Sequence, residues 1–150
     1  MTYPLPRNIE LEDSTVVYGT GKILKVGSTA NHADLSTTTS VAIGITTASS
    51  SRSGADHTLT TAGATVSYYP LGGVLMVQTD AASTFDFGDT VYVGGDGLAT
   101  STAGSNKKLG LYVGDSAHAA TALSAPLSGD TSSSTEGALI PVDTHGAAIA

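Results

Sequence analysis

The sequence contains no cysteine and no tryptophan, and only six of its 150 residues are lysine or arginine. Without cysteine, neither disulfide bonds nor thiolate metal sites can hold the fold together. Thirteen aspartate and glutamate residues give a formal net charge of −7 at pH 7. A nucleic-acid backbone would be repelled by such a chain, so neither DNA nor RNA is expected as a partner.

Long apolar runs are also missing. No stretch approaches the roughly 20 apolar residues that span a membrane, and no basic segment precedes an apolar one near Met1. We therefore expect a soluble chain without a Sec-type signal and without a membrane partner. Helical patterns are equally scarce, because Gly, Ser and Thr interrupt every candidate for apolar spacing at i, i+3 and i+4.

Short apolar segments bounded by Gly, Pro or Asp remain, and they predict strands. The sequence thus predicts an all-β protein, a single-domain small β-barrel or sandwich with long Ser/Thr-rich loops near residues 49–57 and 130–135. Gly19-Thr20-Gly21 is typical of a turn between the first two strands, and residues 90–113 predict a three-strand meander with Val91, Val93 and Leu111 in the core. The predicted strands are residues 15–18, 23–26, 41–45, 65–69, 73–79, 90–93, 98–102, 109–113 and 137–142.

Residues 1–13 predict an extended N-terminal arm ahead of a β domain at residues 14–150. Pro4 and Pro6 forbid a helix and remove two backbone donors. Leu5, Ile9 and Leu11 then stand at mostly two-residue intervals, which places them on one face of an extended strand. Together with Tyr3 they are the predicted contact residues for a neighbouring subunit. The alternative is that this segment is an edge strand of its own domain.

Two patterns raise the question of enzyme chemistry. Gly114-Asp115-Ser116, with His118, Asp143 and His145 after it, resembles a serine-hydrolase motif. The sequence lacks the required context, since no Gly-x-Ser-x-Gly elbow is present and the motif falls late in the chain. The four histidines lack the spacing of a metal site. We therefore expect no enzyme activity, no catalytic residue, no metal and no cofactor.

One stretch has a familiar pattern. Phe87-Gly88-Asp89-Thr90-Val91-Tyr92-Val93 is followed by Asp96-Gly97-Leu98-Ala99-Thr100 and by Lys108-Leu109-Gly110-Leu111-Tyr112-Val113. With Ala42-Ile43-Gly44-Ile45 and Gly73-Val74-Leu75-Met76-Val77 before it, this pattern is similar to the capsid cement (decoration) family of tailed phages. The similar region spans residues 41–113. The resemblance implies a structural virion protein on the outer capsid surface, a homotrimer that binds the major capsid protein.

The low share of charged residues, 13%, fits a protein held in an assembly, because few charges would have to be desolvated at its contacts. Two other classes stay open. A carbohydrate-binding or adhesin-like module of a head fibre or tail would share the composition, although it needs exposed aromatics and this chain has no Trp and two Phe. A small hydrolase depends entirely on Ser116.

Overall fold

The computed structural model describes residues 5–13, 15–47, 64–122 and 136–148. The all-β prediction is confirmed, since these residues form ten strands and one single 3₁₀ turn, Gly95–Gly97. Among them no helix is long and apolar enough to cross a bilayer. The strands are β1 (Arg7–Leu11), β2 (Ile23–Val26), β3 (His32–Leu35), β4 (Gly44–Thr46), β5 (Thr65–Pro70), β6 (Val74–Asp80), β7 (Thr90–Val93), β8 (Ala99–Thr100), β9 (Lys108–Tyr112) and β10 (Glu136–Asp143).

The first five strands close into a barrel, which we call barrel 1. Its order around the barrel is β1-β3-β2-β4-β5, and β5 pairs back onto β1. The pairing of β1 with β3 is parallel, and the other four pairings are antiparallel. Alternate residues point inward, so β1, β2, β3 and β5 each add one or two apolar side chains to the interior. The core of barrel 1 contains Leu11, Val17, Leu24, Ala33 and Val66.

The last five strands close into barrel 2, in the order β6-β8-β7-β9-β10. Its interior is larger and includes a stacked pair, Phe85 and Tyr112, with ring centroids 5.7 Å apart. Val91 and Val93 are fully buried there, as predicted. Gly97 holds a turn conformation with φ +73°.

The two barrels share apolar contacts and hydrogen bonds. Ile23, Ala42 and Ile45 lie on the outside of barrel 1 and pack into the core cluster of barrel 2. The hydroxyl of Ser36 donates to the carbonyl of Gly94 at 3.0 Å, which ties β3 to the turn that follows β7. The sequence analysis expected one barrel or sandwich, and the structure has two that are packed together.

Several local predictions are wrong. Residues 15–18 form no strand, although Val17 fills the core of barrel 1. The predicted hairpin is therefore absent, and β2 pairs instead with β3 and β4. The predicted meander is also wrong, because β9 pairs with β7 and not with β8. The two predicted Ser/Thr-rich loops lie outside the described residues.

Leu111 is not in the core. The register between β7 and β9 shifts between Val91 and Tyr92, and such an irregularity breaks strict alternation of side chains. As a result Leu109 and Tyr112 are buried, while Leu111 points outward. The prediction assumed unbroken alternation through β9.

Candidate interaction surface

Exposed apolar side chains gather on two neighbouring strands of barrel 2. On β6, Leu75 and Val77 point inward, so Val74 and Met76 point outward, with 59% and 51% of their surfaces exposed. On β10, Ile140 and Val142 point inward, and Leu139, 43% exposed, points outward.

The strand register places these outward residues side by side. Met76 pairs with Pro141, Val74 pairs with Asp143, and Leu139 is two residues from Pro141 on the same strand. Residues that pair directly across strands share a face of the sheet. We call Val74, Met76, Leu139 and Pro141 the β6–β10 face.

A groove of about 480 Å³ lies beside this face, between the two barrels. Val74 and Met76 form one wall, and residues of barrel 1 form the other. The barrel 1 wall carries the ring of Tyr69 and several hydroxyl groups, and none of the described residues that line the groove is charged. Its lining residues are Thr20, Gly21, Ile45, Thr46, Thr47, Tyr69, Val74, Leu75 and Met76.

One negative charge stands at the border of the β6–β10 face. Asp143 accepts hydrogen bonds from the backbone N–H of His145, at 3.1 Å, and from its Nδ1, at 2.7 Å. These bonds lower the pKa of Asp143 below its ordinary value, with the backbone bond as the larger cause. The carboxylate therefore stays ionised at neutral pH beside an otherwise apolar surface.

The four predicted arm residues differ in their exposure to solvent and in whether the structure describes them. Tyr3 lies outside the described residues. Leu5 is 80% exposed, whereas Ile9 is half-buried and Leu11 is fully buried in barrel 1. Because β1 is paired on both sides, with β3 and β5, residues 7–11 are a closing strand of barrel 1 and not a separate arm. The predicted domain start at residue 14 has to move accordingly, and a contact role remains a proposal for Leu5.

The residues that resemble a serine-hydrolase motif make other contacts in the structure. The backbone carbonyl of Ser116 accepts a hydrogen bond from the Tyr112 hydroxyl at 2.7 Å. His118 lies against the rings of Phe85 and Tyr112, and its Nε2 is buried with no hydrogen-bond partner in the described part of the chain. His145 binds Asp143.

Within the described ranges, no hydrogen bond links the Ser116 hydroxyl to a histidine, and no group of three potential metal ligands occurs. These side chains therefore form no triad that could activate the serine in the arrangement described.

Sequence reasoning missed the β6–β10 face, although a signal was present. Residues 74–77 read Val-Leu-Met-Val, apolar at every position. A strand with one solvated face alternates apolar and polar residues, and a continuous run indicates apolar side chains on both faces.

Comparison of the chain with protein-family models, with curated proteins and with solved structures found no match. The resemblance to the capsid cement family therefore stands on the sequence motifs alone.

Proposed function

We propose that this protein is a structural virion component that binds the outer surface of a viral capsid as a trimer and stabilises contacts between major capsid protein subunits. The observation that carries the proposal is the exposed β6–β10 face, which has three large apolar side chains and the carboxylate of Asp143 at its border. Exposed apolar patches of this kind mark sites of protein–protein contact. The motifs that resemble the cement family support the same conclusion.

The energetics fit a partner that offers several equivalent sites. Burial of apolar surface contributes roughly 25 cal/mol per Å², and association costs rigid-body freedom, so one small face binds only weakly. A trimer on a capsid presents three such faces at once, and linked binding events strengthen one another without any new contact.

The direct test is co-sedimentation of the purified protein with undecorated capsids of its virus. We expect the wild type to sediment with the capsids and the double variant Val74→Asp with Met76→Asp to remain in the supernatant. A charge that is buried without a partner in the complex costs several kcal/mol. Both substitutions are at exposed positions, so the melting temperature should stay near the wild-type value.

Val26→Asp is the matched control, since Val26 is also exposed but belongs to β2 of barrel 1. It should bind capsids as the wild type does. Equal capsid binding by the wild type and the double variant would reject the β6–β10 face as the contact. If the wild type does not bind capsids but is retained on immobilised glycans, the result favours the adhesin-like alternative. Ester or peptide turnover that disappears in Ser116→Ala would favour a hydrolase.

A further inference from the structure

The two barrels are copies of one topology. The strands of each barrel can be numbered one to five in chain order. With that numbering both barrels have the same pairs of neighbouring strands: one with three, three with two, two with four, four with five, and five with one. Only the pairing of first with third is parallel in either barrel. A shared order of five strands, including the one parallel pair, indicates an internal repeat.

The repeat extends to single residues and hydrogen bonds. Gly21 and Gly88 both have positive φ, +82° and +91°. The N–H of Gly21 donates to the carbonyl of Thr46, and the N–H of Gly88 donates to that of Tyr112, both at 2.8 Å. The strand pairs match as well, with Leu24 opposite Gly44 in barrel 1 and Val91 opposite Gly110 in barrel 2.

These registers define corresponding positions throughout the two barrels. Thr20 corresponds to Phe87, Ile23 to Thr90, Gly44 to Gly110 and Ile45 to Leu111. On the first and fifth strands, Asn8 corresponds to Met76, Glu10 to Gln78 and Thr65 to Leu139.

Barrel 1 uses one side to bind barrel 2. We call Gly21, Ile23, Ala42 and Ile45 the docking face. The carbonyl of Gly21 accepts a hydrogen bond from the N–H of Gln78 at 2.8 Å, and a Cβ on Gly21 would overlap Leu139 and approach Met76. Met76, Gln78 and Leu139 of barrel 2 are therefore the receiving face.

Each of these two faces has a counterpart at the corresponding positions of the other barrel. We call these counterparts open, because the packing of the two barrels within one chain does not cover them. The counterpart of the docking face lies on barrel 2 at Gly88, Thr90 and Leu111. Lys108 lies on the same outward side of the sheet, because it pairs with Tyr92 of β7. Within the described residues the carbonyl of Gly88 accepts no hydrogen bond, unlike that of Gly21. The counterpart of the receiving face lies on barrel 1 and includes Asn8 and Glu10, both exposed.

We propose that a second copy of this chain occupies these open faces head to tail, so that barrel 2 of one copy packs on barrel 1 of the next as the two barrels pack within the chain. The ends of a repeat array are normally capped by polar residues. Here the end at barrel 2 carries Phe87, 75% exposed, and Leu111, 38% exposed, whereas the end at barrel 1 is polar at Asn8 and Glu10. The charges are complementary too, since Lys108 lies on the outward side of β9 and Glu10, whose side chain is 57% exposed with its carboxylate 3.7 Å from His32 Nε2, lies on the open receiving face.

A head-to-tail contact of this kind is heterologous, and it closes into a ring when the rotation between copies allows it. A closed ring of three copies would place six barrels in one circle. Self-association through the open faces is independent of capsid binding, because none of the four residues of the β6–β10 face lies on an open face.

The test compares the mass in solution of the full-length wild type with two variants. The docking variant is Phe87→Asp with Leu111→Asp, and the receiving variant is Asn8→Arg with Glu10→Lys. We expect a multi-copy wild type and two monomeric variants with wild-type melting temperatures. An equimolar mixture of the two variants should form a dimer, because each supplies the face that the other has lost, and should grow no further.

Val74→Asp is the control and should keep the wild-type mass. A monomeric wild type up to millimolar concentration would overturn the proposal, as would a docking variant of wild-type mass or a mixture that stays monomeric. If the docking variant fails to fold, Phe87→Asp alone replaces it, since Phe87 is the more exposed of the two residues. Loss of capsid binding with retained self-association, or the reverse, separates the two proposals.

Discussion

Lys22 and Glu136 form an ion pair that joins the two barrels, and each side chain is only 4% exposed. The two residues are 114 positions apart in sequence, at the start of β2 and of β10. Two charges at such depth are compensated only while both are present. The pair therefore fixes one arrangement of barrel 1 against barrel 2.

Removal of one charge of this pair should lower the free energy of unfolding far more than removal of both charges. We expect Lys22→Met to lower the free energy of unfolding by about 3–5 kcal/mol, because it leaves the Glu136 carboxylate buried without its cation. The double variant Lys22→Met with Glu136→Leu should recover most of that loss. Urea unfolding measures both values. Lys25→Met is the control, since Lys25 pairs with Asp34 at 3.6 Å near the surface, and should cost at most about 1 kcal/mol. Similar losses in the free energy of unfolding for Lys22→Met and Lys25→Met would contradict a special role for the buried pair.

Gly21→Ala and Gly88→Ala measure the contact between the barrels. Both glycines have positive φ, where a Cβ costs roughly 1–2 kcal/mol. Within one copy, no described residue lies within 4 Å of a Cβ at Gly88, so only that conformational cost applies to the fold of the single chain there. The comparison is made at a concentration at which the protein is monomeric. At Gly21 a Cβ would also overlap Leu139 and the backbone of Gln78. We expect Gly21→Ala to lower the melting temperature clearly more than Gly88→Ala, and equal effects would show that the barrels do not meet at Gly21.

Leu11→Ala distinguishes a barrel strand from a separate arm. Leu11 is fully buried in barrel 1, so we expect a loss of about 2–5 kcal/mol in the free energy of unfolding. Leu5→Ala, six positions earlier and exposed, should change stability by less than about 0.5 kcal/mol. Denaturant unfolding of both variants checks the difference. A harmless Leu11→Ala would restore the idea that residues 7–11 form an independent arm.

The ionised carboxylate of Glu12 should stabilise the protein at neutral pH and lose that effect in acid. It accepts hydrogen bonds from the backbone N–H of Thr29, at 2.5 Å, and from the hydroxyls of Thr29 and Ser28. These bonds, the backbone one foremost, hold its pKa below the ordinary value of 4.5. A pKa lowered by folding stabilises the protein above the ordinary value, and that stabilisation is lost as the pH falls through the lowered pKa.

Glu12→Gln should therefore melt below the wild type at neutral pH, and the difference should shrink as the pH falls below 4.5. Thermal melts of both proteins across that range measure it. The effect should be small, since Glu12 is at the surface and water screens it. A difference that widens on acidification would mean that these hydrogen bonds do not favour the ionised form.

Strand positions in barrel 2 followed from the sequence, and the repeat did not. Strands β6, β7 and β9 are marked by apolar runs between Gly, Pro or Asp, which is the strongest local signal for a strand. β1 and β3 lack it, because Arg7–Leu11 and His32–Leu35 mix charged and apolar residues. Their strand state comes from partners distant in sequence, such as Ile9 with Val66. Tertiary pairing decides such segments.

The candidate surface and the repeat escaped prediction for related reasons. The glycines and valines shared by the two halves, such as Val26 with Val93, are too few to reveal a repeat without the registers. Whether an outward side chain such as Met76 is exposed or covered depends on which strand lies beside it. That neighbour is known only once the barrel has closed. The exposed residues of the N-terminal segment were likewise mistaken for an arm because Leu11 gave no sign of its burial.

Closure of the two barrels also governs how the chain must fold. The pairs that seal them, Arg7 with Tyr68 and Val74 with Asp143, join residues far apart in sequence. Contacts of such long range slow folding, because the loop entropy is lost before the pairing is gained. Until its last pair forms, each barrel has two free strand edges, and free edges recruit other chains. The finished protein has no such edge in its described barrels, so aggregation through free strand edges is confined to the period before the barrels close.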